Sequence, residues 1–285
     1  MKTVDKSRTA RNYNLSEVCN QFELKRDAYY KYKKRYQKKE LQKELVVKLV
    51  KERRKKLPRE GCRKLHNALN DKFIEYNLKI GRDSLFDILR EKSMLVMRKK
   101  ASFKTTNSYH HFHKYNNLIK ELEITRVNQV WVSDITYIRT VNGFCYLALI
   151  TDVYSRKIIG FDVSDTLELT GSLRALNLAL RRCSNIEGLI HHSDRGVQYC
   201  SNQYVNELKK RKIDISMTEE NHCYENAIAE RVNGILKDEF YLDQTFFDVK
   251  HAQRAAKNAI NLYNVLRLHV SLNSKTPENV YKSIA

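Results

Sequence analysis

The chain has few of the residues that mark linkers, fibres or membrane spans. Its 285 residues include only two prolines and eight glycines, which disfavours collagen-like, linker-rich and low-complexity architectures. The longest apolar run, Phe144 to Thr151, has eight residues, whereas a bilayer-spanning helix needs about 20. Residues 1–14 carry several charges and no apolar segment, so we expect no secretory signal. These absences predict a cytoplasmic protein with no membrane partner.

Cysteine is present but sparse, and no C-x-x-C pair occurs. A cytosolic chain of this size has no need of disulfides, so we interpret the cysteines as mostly buried small apolar residues. They number six: Cys19, Cys62, Cys145, Cys183, Cys200 and Cys223.

Positive charge is concentrated in the first part of the chain. Residues 1–120 hold 33 Lys and Arg against 13 Asp and Glu, whereas residues 121–285 hold 20 of each. Hydrophobic residues make up 42% of the sequence, enough to bury a core. A basic part joined to a neutral part indicates that the first binds a polyanion while the second does something else. A merely solvated basic surface is the alternative.

The first basic segment has the pattern of a helix-turn-helix. Apolar residues at helical spacing predict a short helix over Leu15, Val18, Cys19 and Phe22, followed by a turn at Glu23-Leu24. A second, Tyr-rich helix is predicted from Lys25 to Tyr36, and it could enter a major groove. We therefore predict a DNA-binding segment over residues 1–40, with a solvated helical hairpin as the alternative. Its candidate DNA-binding residues are Lys25, Arg26, Lys31, Lys33 and Lys34.

A second helical set follows. An apolar stripe from Leu41 to Val50 predicts a helix that ends at Leu57-Pro58, and further helices are predicted over Arg59 to Asn70 and Arg82 to Leu95. We interpret residues 41–95 as a second helical DNA-binding domain. Residues 96–125 are basic and weakly periodic, which predicts a linker along a phosphate backbone.

The neutral part predicts a mixed sheet with flanking helices, placing it in the α/β class. Alternation in Trp131 to Ile138 puts Asp134 on the same strand face as Val132, and Asn142-Gly143 predicts a hairpin turn. The predicted order is β-β-β-α-β-α-β-α. We assign residues 126–245 to this core of strands and helices, and residues 246–285 to a C-terminal helical extension. The later strands and helices are Phe144 to Asp152, Lys157 to Val163, Leu173 to Leu180, Gly188 to Asp194, Tyr204 to Leu208, Ile213 to Met217 and Asn226 to Phe240.

Three carboxylates stand out as candidate metal ligands. Asp134 lies within one predicted strand, Asp194 at the end of another, and Glu230 on a helix beside its packing stripe, on the same face as Lys237. Carboxylate oxygens suit Mg²⁺, and two such ions can promote phosphodiester chemistry. Each acid alone has an ordinary structural explanation, so the combination carries the hypothesis. Asp152 is the rival ligand, but its position favours a turn residue.

Four segments of the neutral part resemble the integrase core of bacterial transposases. They are Trp131 to Tyr137, Asp152 to Lys157, His192 to Tyr199 and Glu225 to Glu230. The likeness is close to the OrfB proteins of the insertion-sequence-three family, and it extends over nearly the whole chain. Thirty-five residues separate Asp194 from Glu230, as in that family, and Lys237 stands where the family has a basic residue.

The resemblance implies an RNase H-like five-stranded mixed sheet with flanking helices, preceded by an all-helical DNA-binding region. It implies a DDE-type transposase that nicks the ends of its insertion sequence and performs Mg²⁺-dependent strand transfer, with Mn²⁺ able to substitute. Asp134, Asp194 and Glu230 would be both the catalytic residues and the metal ligands. Lys237 and Arg195 would bind DNA phosphates.

The resemblance also implies partners. These are double-stranded DNA, the OrfA-type product of an upstream frame, and further copies of the chain on DNA, in the bacterial cytoplasm and at the nucleoid. No structural zinc is expected, because His110, His111 and His113 lack a C-x-x-C to complete such a site. The alternatives are a non-catalytic DNA-binding accessory or regulatory relic, and a plain Mg²⁺ nuclease that cuts without joining.

Overall fold

The computed structural model describes residues 14–97, 111–183, 185–219 and 226–283. The chain divides into two compact units: residues up to 55 together with 68–95, and residues 56–67 together with those from 96 onward. Within the described ranges, none of the helices has the length and apolar character needed to cross a membrane. Cys19, Cys62, Cys145 and Cys200 are buried, Cys183 is half-buried, and all five have free thiols.

The first unit is helical. Asn14 and Glu17 form a capping box that starts the first helix, because each side chain accepts a hydrogen bond from the other end of the turn. This helix packs on the second through the buried side chains of Val18, Cys19 and Tyr29. The helices are α1 (Leu15–Gln21), α2 (Arg26–Arg54), α3 (Cys62–Glu75), whose first turns belong to the second unit, and α4 (Arg82–Glu91).

Helix α2 is a single helix of 29 residues. The predicted separation into one helix ending at Tyr36 and another starting at Leu41 is therefore wrong, and α2 crosses the predicted boundary at residues 40/41. The physical reason is that residues 37–40 are Gln, Lys, Lys and Glu, all good helix formers, with no glycine or proline to interrupt them.

A five-stranded mixed sheet forms the centre of the second unit, in the order β3-β2-β1-β4-β5. The first three strands are antiparallel neighbours, whereas β4 runs parallel to both β1 and β5. This topology confirms the predicted α/β, RNase H-like sheet with flanking helices and a helical region before it. The strands are β1 (Val130–Thr140), β2 (Gly143–Asp152), β3 (Ile158–Ser164), β4 (Ile190–Ser193) and β5 (Asp214–Met217).

Helices cover both faces of the sheet. On one face Trp131 and Ile150 pack with Leu176 and Tyr204, and on the other Leu147 packs with helices near the C-terminus. Successive strand residues thus point into different cores, as a pleated sheet requires. The helices are α5 (Leu169–Arg182), α6 (Val197–Cys200), α7 (Asn202–Lys210), α8 (Ala227–Phe240), α9 (Val249–Leu266) and α10 (Pro277–Lys282), with a 3₁₀ turn at Val270–Leu272.

The predicted basic linker is only partly described, because residues 98–110, including His110, lie outside the described residues. Its second half contacts the sheet. Asn116 O accepts a hydrogen bond from the backbone N–H of Met217 at 3.3 Å, and Ser216 Oγ accepts one from Leu118 at 2.9 Å. Ile119 packs in the small apolar cluster of Val130 and Val132. This segment therefore extends the core beside β1 and β5.

Candidate active site

Two of the three candidate acids follow directly from the parallel pairing of β1 and β4. The last residues that pair between β1 and β4 are Ser133 and Ser193. Asp134 follows directly in β1, and Asp194 follows directly after β4. Neighbouring strands lie about 4.8 Å apart. The sheet therefore brings the two carboxylates to one place, although 59 residues separate them in sequence.

The carboxylate of Asp134 is held by two hydrogen bonds. Its Oδ1 accepts from the backbone N–H of Ile135 at 2.9 Å, and its Oδ2 accepts from Asn233 Nδ2 at 2.7 Å. Burial and then the negative charge of Asp194 raise the pKa of Asp134 to about 7, with a smaller contribution from Glu230, while the two hydrogen bonds oppose the rise. The charges of Asp194 and Glu230 therefore both act on the Asp134 carboxylate.

A close backbone approach orients the carboxylate of Asp194. Its Oδ1 accepts a hydrogen bond from the backbone N–H of Gly196 at 3.0 Å. A Cβ atom on Gly196 would lie 2.9 Å from the same oxygen, closer than real contacts allow. Glycine at position 196 thus leaves the space that this carboxylate orientation needs.

One face of helix α8 is directed at β1, and it carries Glu230, Asn233 and Lys237. Ala229 packs with Val130 and Val132, which fixes the helix against the strand. Glu230 is exposed and Lys237 is half-buried. Burial lowers the pKa of Lys237, and the negative charge of Asp134 opposes this decrease. The Lys237 ammonium therefore interacts electrostatically with the Asp134 carboxylate.

Comparison with known proteins shows which family the chain resembles. The family "Integrase core domain" matches residues 124–223, and a second family of that description matches residues 211–277. The "Insertion element IS600 uncharacterized 31 kDa protein" of Shigella sonnei is 36% identical over 221 residues, which cover 76% of this chain and 79% of that protein.

Two further relatives carry transposase names. The "Transposase for insertion sequence element IS629" of Shigella sonnei is 27% identical over 295 residues, covering 99% of this chain and 96% of that protein. The "Transposase InsF for insertion sequence IS3A" of Escherichia coli (strain K12) is 35% identical over 164 residues, covering 57% of each chain. The chain belongs to the insertion-sequence-three family of transposases.

The acids of this transposase-family chain have the chemistry of a divalent-metal site. Asp134 and Asp194 offer oxygen ligands side by side, and their repulsion is the kind of strain that a bound cation relieves. Within the described ranges, no three His, Cys, Asp or Glu side chains converge closely enough to hold a metal ion. Asp134 and Asp194 are the residues that could hold such an ion, and Glu230 acts on Asp134 through its charge.

Asp152, the rival candidate ligand, uses its carboxylate to hydrogen-bond residues of a turn. It is fully buried, and its Oδ2 accepts from the backbone N–H of Asn128 at 2.7 Å. Its Oδ1 accepts from both the backbone N–H and the hydroxyl of Ser155, at 2.7 and 2.5 Å. These bonds fit the interpretation of Asp152 as a turn residue.

The predicted DNA-binding residues lie in both units. Arg195 follows Asp194 directly and is half-buried. In the first unit the predicted cations are exposed near the start of α2, and Lys31 pairs with Asp27 at 2.7 Å. The exposed set is Lys25, Arg26, Lys31, Lys33 and Lys34.

Sequence reasoning missed the residues that support the acids. Asn233 is three positions after Glu230, so helical spacing could have placed it on the same face. A buried group beneath the site was also missed: His191 Nε2 hydrogen-bonds with Ser133 Oγ at 2.7 Å and with Tyr204 OH at 3.0 Å. His191 on β4 thus links Ser133 of β1, the residue before Asp134, to Tyr204 of α7. No local sequence pattern predicts this contact.

Proposed function

We propose that the chain is a DDE-type transposase that nicks the ends of its insertion sequence and joins them to target DNA. Asp134, Asp194 and Glu230 are the catalytic residues and the ligands of Mg²⁺, which Mn²⁺ can replace. The observation that carries this proposal is that Asp134 and Asp194 directly follow the last paired residues of the parallel strands β1 and β4, and that the charge of Glu230 acts on Asp134.

A bound divalent ion supplies a Lewis acid that polarises the scissile phosphate and lowers the pKa of the attacking hydroxyl. The chain's own residues prepare the place for that chemistry. Asn233 and the N–H of Ile135 hold one carboxylate, and the N–H of Gly196 holds another. Lys237 and Arg195 bind phosphates of the reacting DNA end, which keeps the nucleophile and the phosphorus aligned.

The reaction consists of two exchanges at phosphorus. In the first, the oxygen of water bonds to phosphorus, the bond to the 3′ oxygen breaks, and that oxygen leaves as a 3′-OH at the element's end. In the second, this 3′ oxygen bonds to a phosphorus of the target, and a 3′-OH of the target leaves. The second exchange forms one phosphodiester and breaks one, so it needs no external energy source.

DNA binding by the first unit complements this chemistry. The exposed cations at the start of α2 neutralise backbone phosphates while α2 enters a major groove. Assembly on DNA with further copies, and with the OrfA-type product of the upstream frame, aligns two element ends. Such a protein works in the bacterial cytoplasm, at the nucleoid.

The experiment that tests the proposal uses purified full-length chain, with and without the upstream-frame product. A labelled DNA end of the encoding element is incubated with it in Mg²⁺, beside the variants Glu230→Gln and Asp238→Asn. Asp238 is the matched control, because it is an exposed carboxylate on the same helix. We expect cleavage and joining by the parent and by Asp238→Asn, and neither by Glu230→Gln.

Two other outcomes would identify the alternatives. DNA binding without chemistry in every combination would indicate a non-catalytic relic. Cleavage without joining, in the presence of the upstream-frame product and target DNA, would indicate a plain nuclease.

A further inference from the structure

A cavity of about 400 Å³ lies on the side of α8 that faces away from Glu230. Ile228, Arg231 and Ile235 line it from the helix, at roughly 100–160° around the axis from Glu230. The segment after α9, including Arg267 and His269, forms the opposite wall. All lining residues belong to the second unit, and the volume is in the range of small-ligand pockets.

Positive charge dominates the cavity wall. Lys64, Arg156, Arg231 and Arg267 line it, and among the described lining residues there is no carboxylate. Glu239 lies nearby and neutralises part of this charge, since it pairs with Lys64 at 2.7 Å and with Arg267 through two hydrogen bonds of 2.9 and 2.7 Å.

Arg156 and Arg231 supply the rest of the positive charge, and the carboxylate of Asp152 acts on Arg156. Within the described part of the chain, neither forms an ion pair. The cavity therefore presents two guanidinium groups suited to a phosphate.

Two buried nitrogen atoms in residues of the cavity wall lack a hydrogen-bond partner within the described ranges. They are Arg156 Nη1 and His269 Nε2. His269 is only 8% exposed, and its ring packs edge-on against Tyr263 with centroids 5.2 Å apart. Burial and then the charges of Arg267 and Lys64 lower the pKa of His269 to about 3, so its imidazole is neutral. Unpaired buried polar atoms cost free energy that a polar ligand would recover.

Apart from Ser271, the rest of the wall is largely apolar. Val232 and Ile235 are buried side chains of α8, and Ile228 and Leu268 extend the same surface beside the ring of Tyr263. A simple inorganic anion would leave this surface without a contact. The wall therefore suits a ligand that combines phosphate oxygens with a flat apolar group.

We propose that this cavity binds one nucleotide, with its phosphate at Arg156 and Arg231 and its base against the apolar wall. The polar edge of the base meets His269 Nε2. The nucleotide comes from bound DNA, as an unpaired nucleotide displaced from the duplex, and only this choice of source rests on the proposed function. The pocket gives α8 a second DNA contact, on the side opposite the acids.

The test uses the full-length protein and two fluorescent probes. One is adenosine monophosphate that carries a fluorescent label, and the other is a DNA duplex with one unpaired 2-aminopurine. The variant is Arg231→Glu, because Arg231 is exposed and its replacement leaves the core intact. The control is Arg181→Glu, the same change of charge at an exposed position of α5. We expect Arg231→Glu to weaken binding of both probes by about tenfold or more, and Arg181→Glu to leave both unchanged.

Several results would separate the possibilities. Binding of the mononucleotide but no response of the unpaired 2-aminopurine would support the nucleotide pocket and overturn DNA as its source. Equal weakening by both variants, or inorganic phosphate competing as well as the mononucleotide, would overturn the pocket. Glu230→Gln should bind the mononucleotide like the parent, so the pocket is tested even where cleavage and joining fail.

Discussion

Asn233 Nδ2 donates a 2.7 Å hydrogen bond to Asp134 Oδ2, and it thereby joins α8 to the centre of β1. The same helix face carries Glu230 one turn earlier and Lys237 one turn later. This amide thus helps to orient one acid and ties it to the helix that carries the other. This relation makes Asn233 a positioning residue for the proposed metal site.

Replacing Asn233 by Ala should therefore impair chemistry more than DNA binding. Without the amide, the Asp134 carboxylate loses a fixed orientation, and we expect about a tenfold to hundredfold loss of cleavage rate together with a higher Mg²⁺ requirement. Single-turnover cleavage across a Mg²⁺ titration, beside DNA affinity, measures both. Equal cleavage rates for parent and variant would remove Asn233 from the account.

Gly196→Ala tests the orientation of Asp194. The added Cβ would lie 2.9 Å from Asp194 Oδ1, so the flexible carboxylate moves while the backbone stays. We expect cleavage to fall sharply with thermal stability nearly unchanged. Gly234→Ala on α8 is the control, because nothing lies within 4 Å of its new Cβ, and it should keep activity and gain up to about 1 kcal/mol of stability. Full activity of Gly196→Ala would contradict the packing argument.

Glu239 holds the cationic wall of the cavity together. Burial favours a higher pKa for Glu239, but the hydrogen bonds and charges of Arg267 and Lys64 outweigh it and hold the pKa below its ordinary value. Burial and Arg267 lower the pKa of Lys64, so the cluster stabilises the carboxylate rather than the ammonium. Glu239→Gln removes the carboxylate that Lys64 and Arg267 share, and we expect a loss of about 3–5 kcal/mol in the free energy of unfolding at pH 7.

The pH dependence of that loss has a definite sign. Because the folded-state pKa of Glu239 is depressed, its contribution is present above the unfolded-state pKa and disappears as the pH falls through the folded-state pKa. Denaturant unfolding of the parent and of Glu239→Gln should be measured from pH 7 downward. The difference between their free energies of unfolding should decrease below about pH 4. Asp238→Asn, the exposed neighbour, should follow the parent, and a gap that stays constant with pH would contradict the assignment.

His191 should make the protein sensitive to acid. Burial, and then the neighbouring His192, lower the pKa of His191 from 6.5 to about 3. Between pH 6.5 and about 3, His191 is protonated in the unfolded chain but stays neutral in the folded chain. The free energy of unfolding therefore falls as the pH decreases, by up to about 1.4 kcal/mol per pH unit.

His191→Phe should be less stable near pH 7, because Ser133 and Tyr204 lose their partner, yet its stability should vary less between pH 6.5 and 5. Denaturant unfolding at several pH values measures the slope, with the exposed His113→Gln as control. An unchanged slope in His191→Phe would show that another group causes the acid sensitivity.

The alternation of the sheet and its turns could be predicted from sequence, because they depend on near neighbours. Asn142-Gly143 marked the hairpin, and the period of two put Asp134 on the face of Val132, where the structure has it. The continuity of α2 was not predicted, since an apolar stripe shows which face is buried and not where a polar helix continues.

The contacts between distant elements could not be predicted either. The bond between Asn233 and Asp134 and the burial of His191 depend on how α8 and α7 cross the sheet, which no local pattern encodes. The spacing of the three acids could be found from sequence only through the family resemblance. The structure adds the order in which β1 and β4 pair, and this order gives the two aspartates a common location.

The measurement that tests the central claim most directly is Mg²⁺-dependent cleavage by Asp134→Asn, Asp194→Asn, Glu230→Gln and the triple variant. Groups that act as one centre lose their effect together, so the losses do not add. The account predicts that each single variant cleaves as slowly as the triple variant while binding the DNA end like the parent. A single variant that retains substantial cleavage, or losses that multiply from one variant to the next, would contradict it.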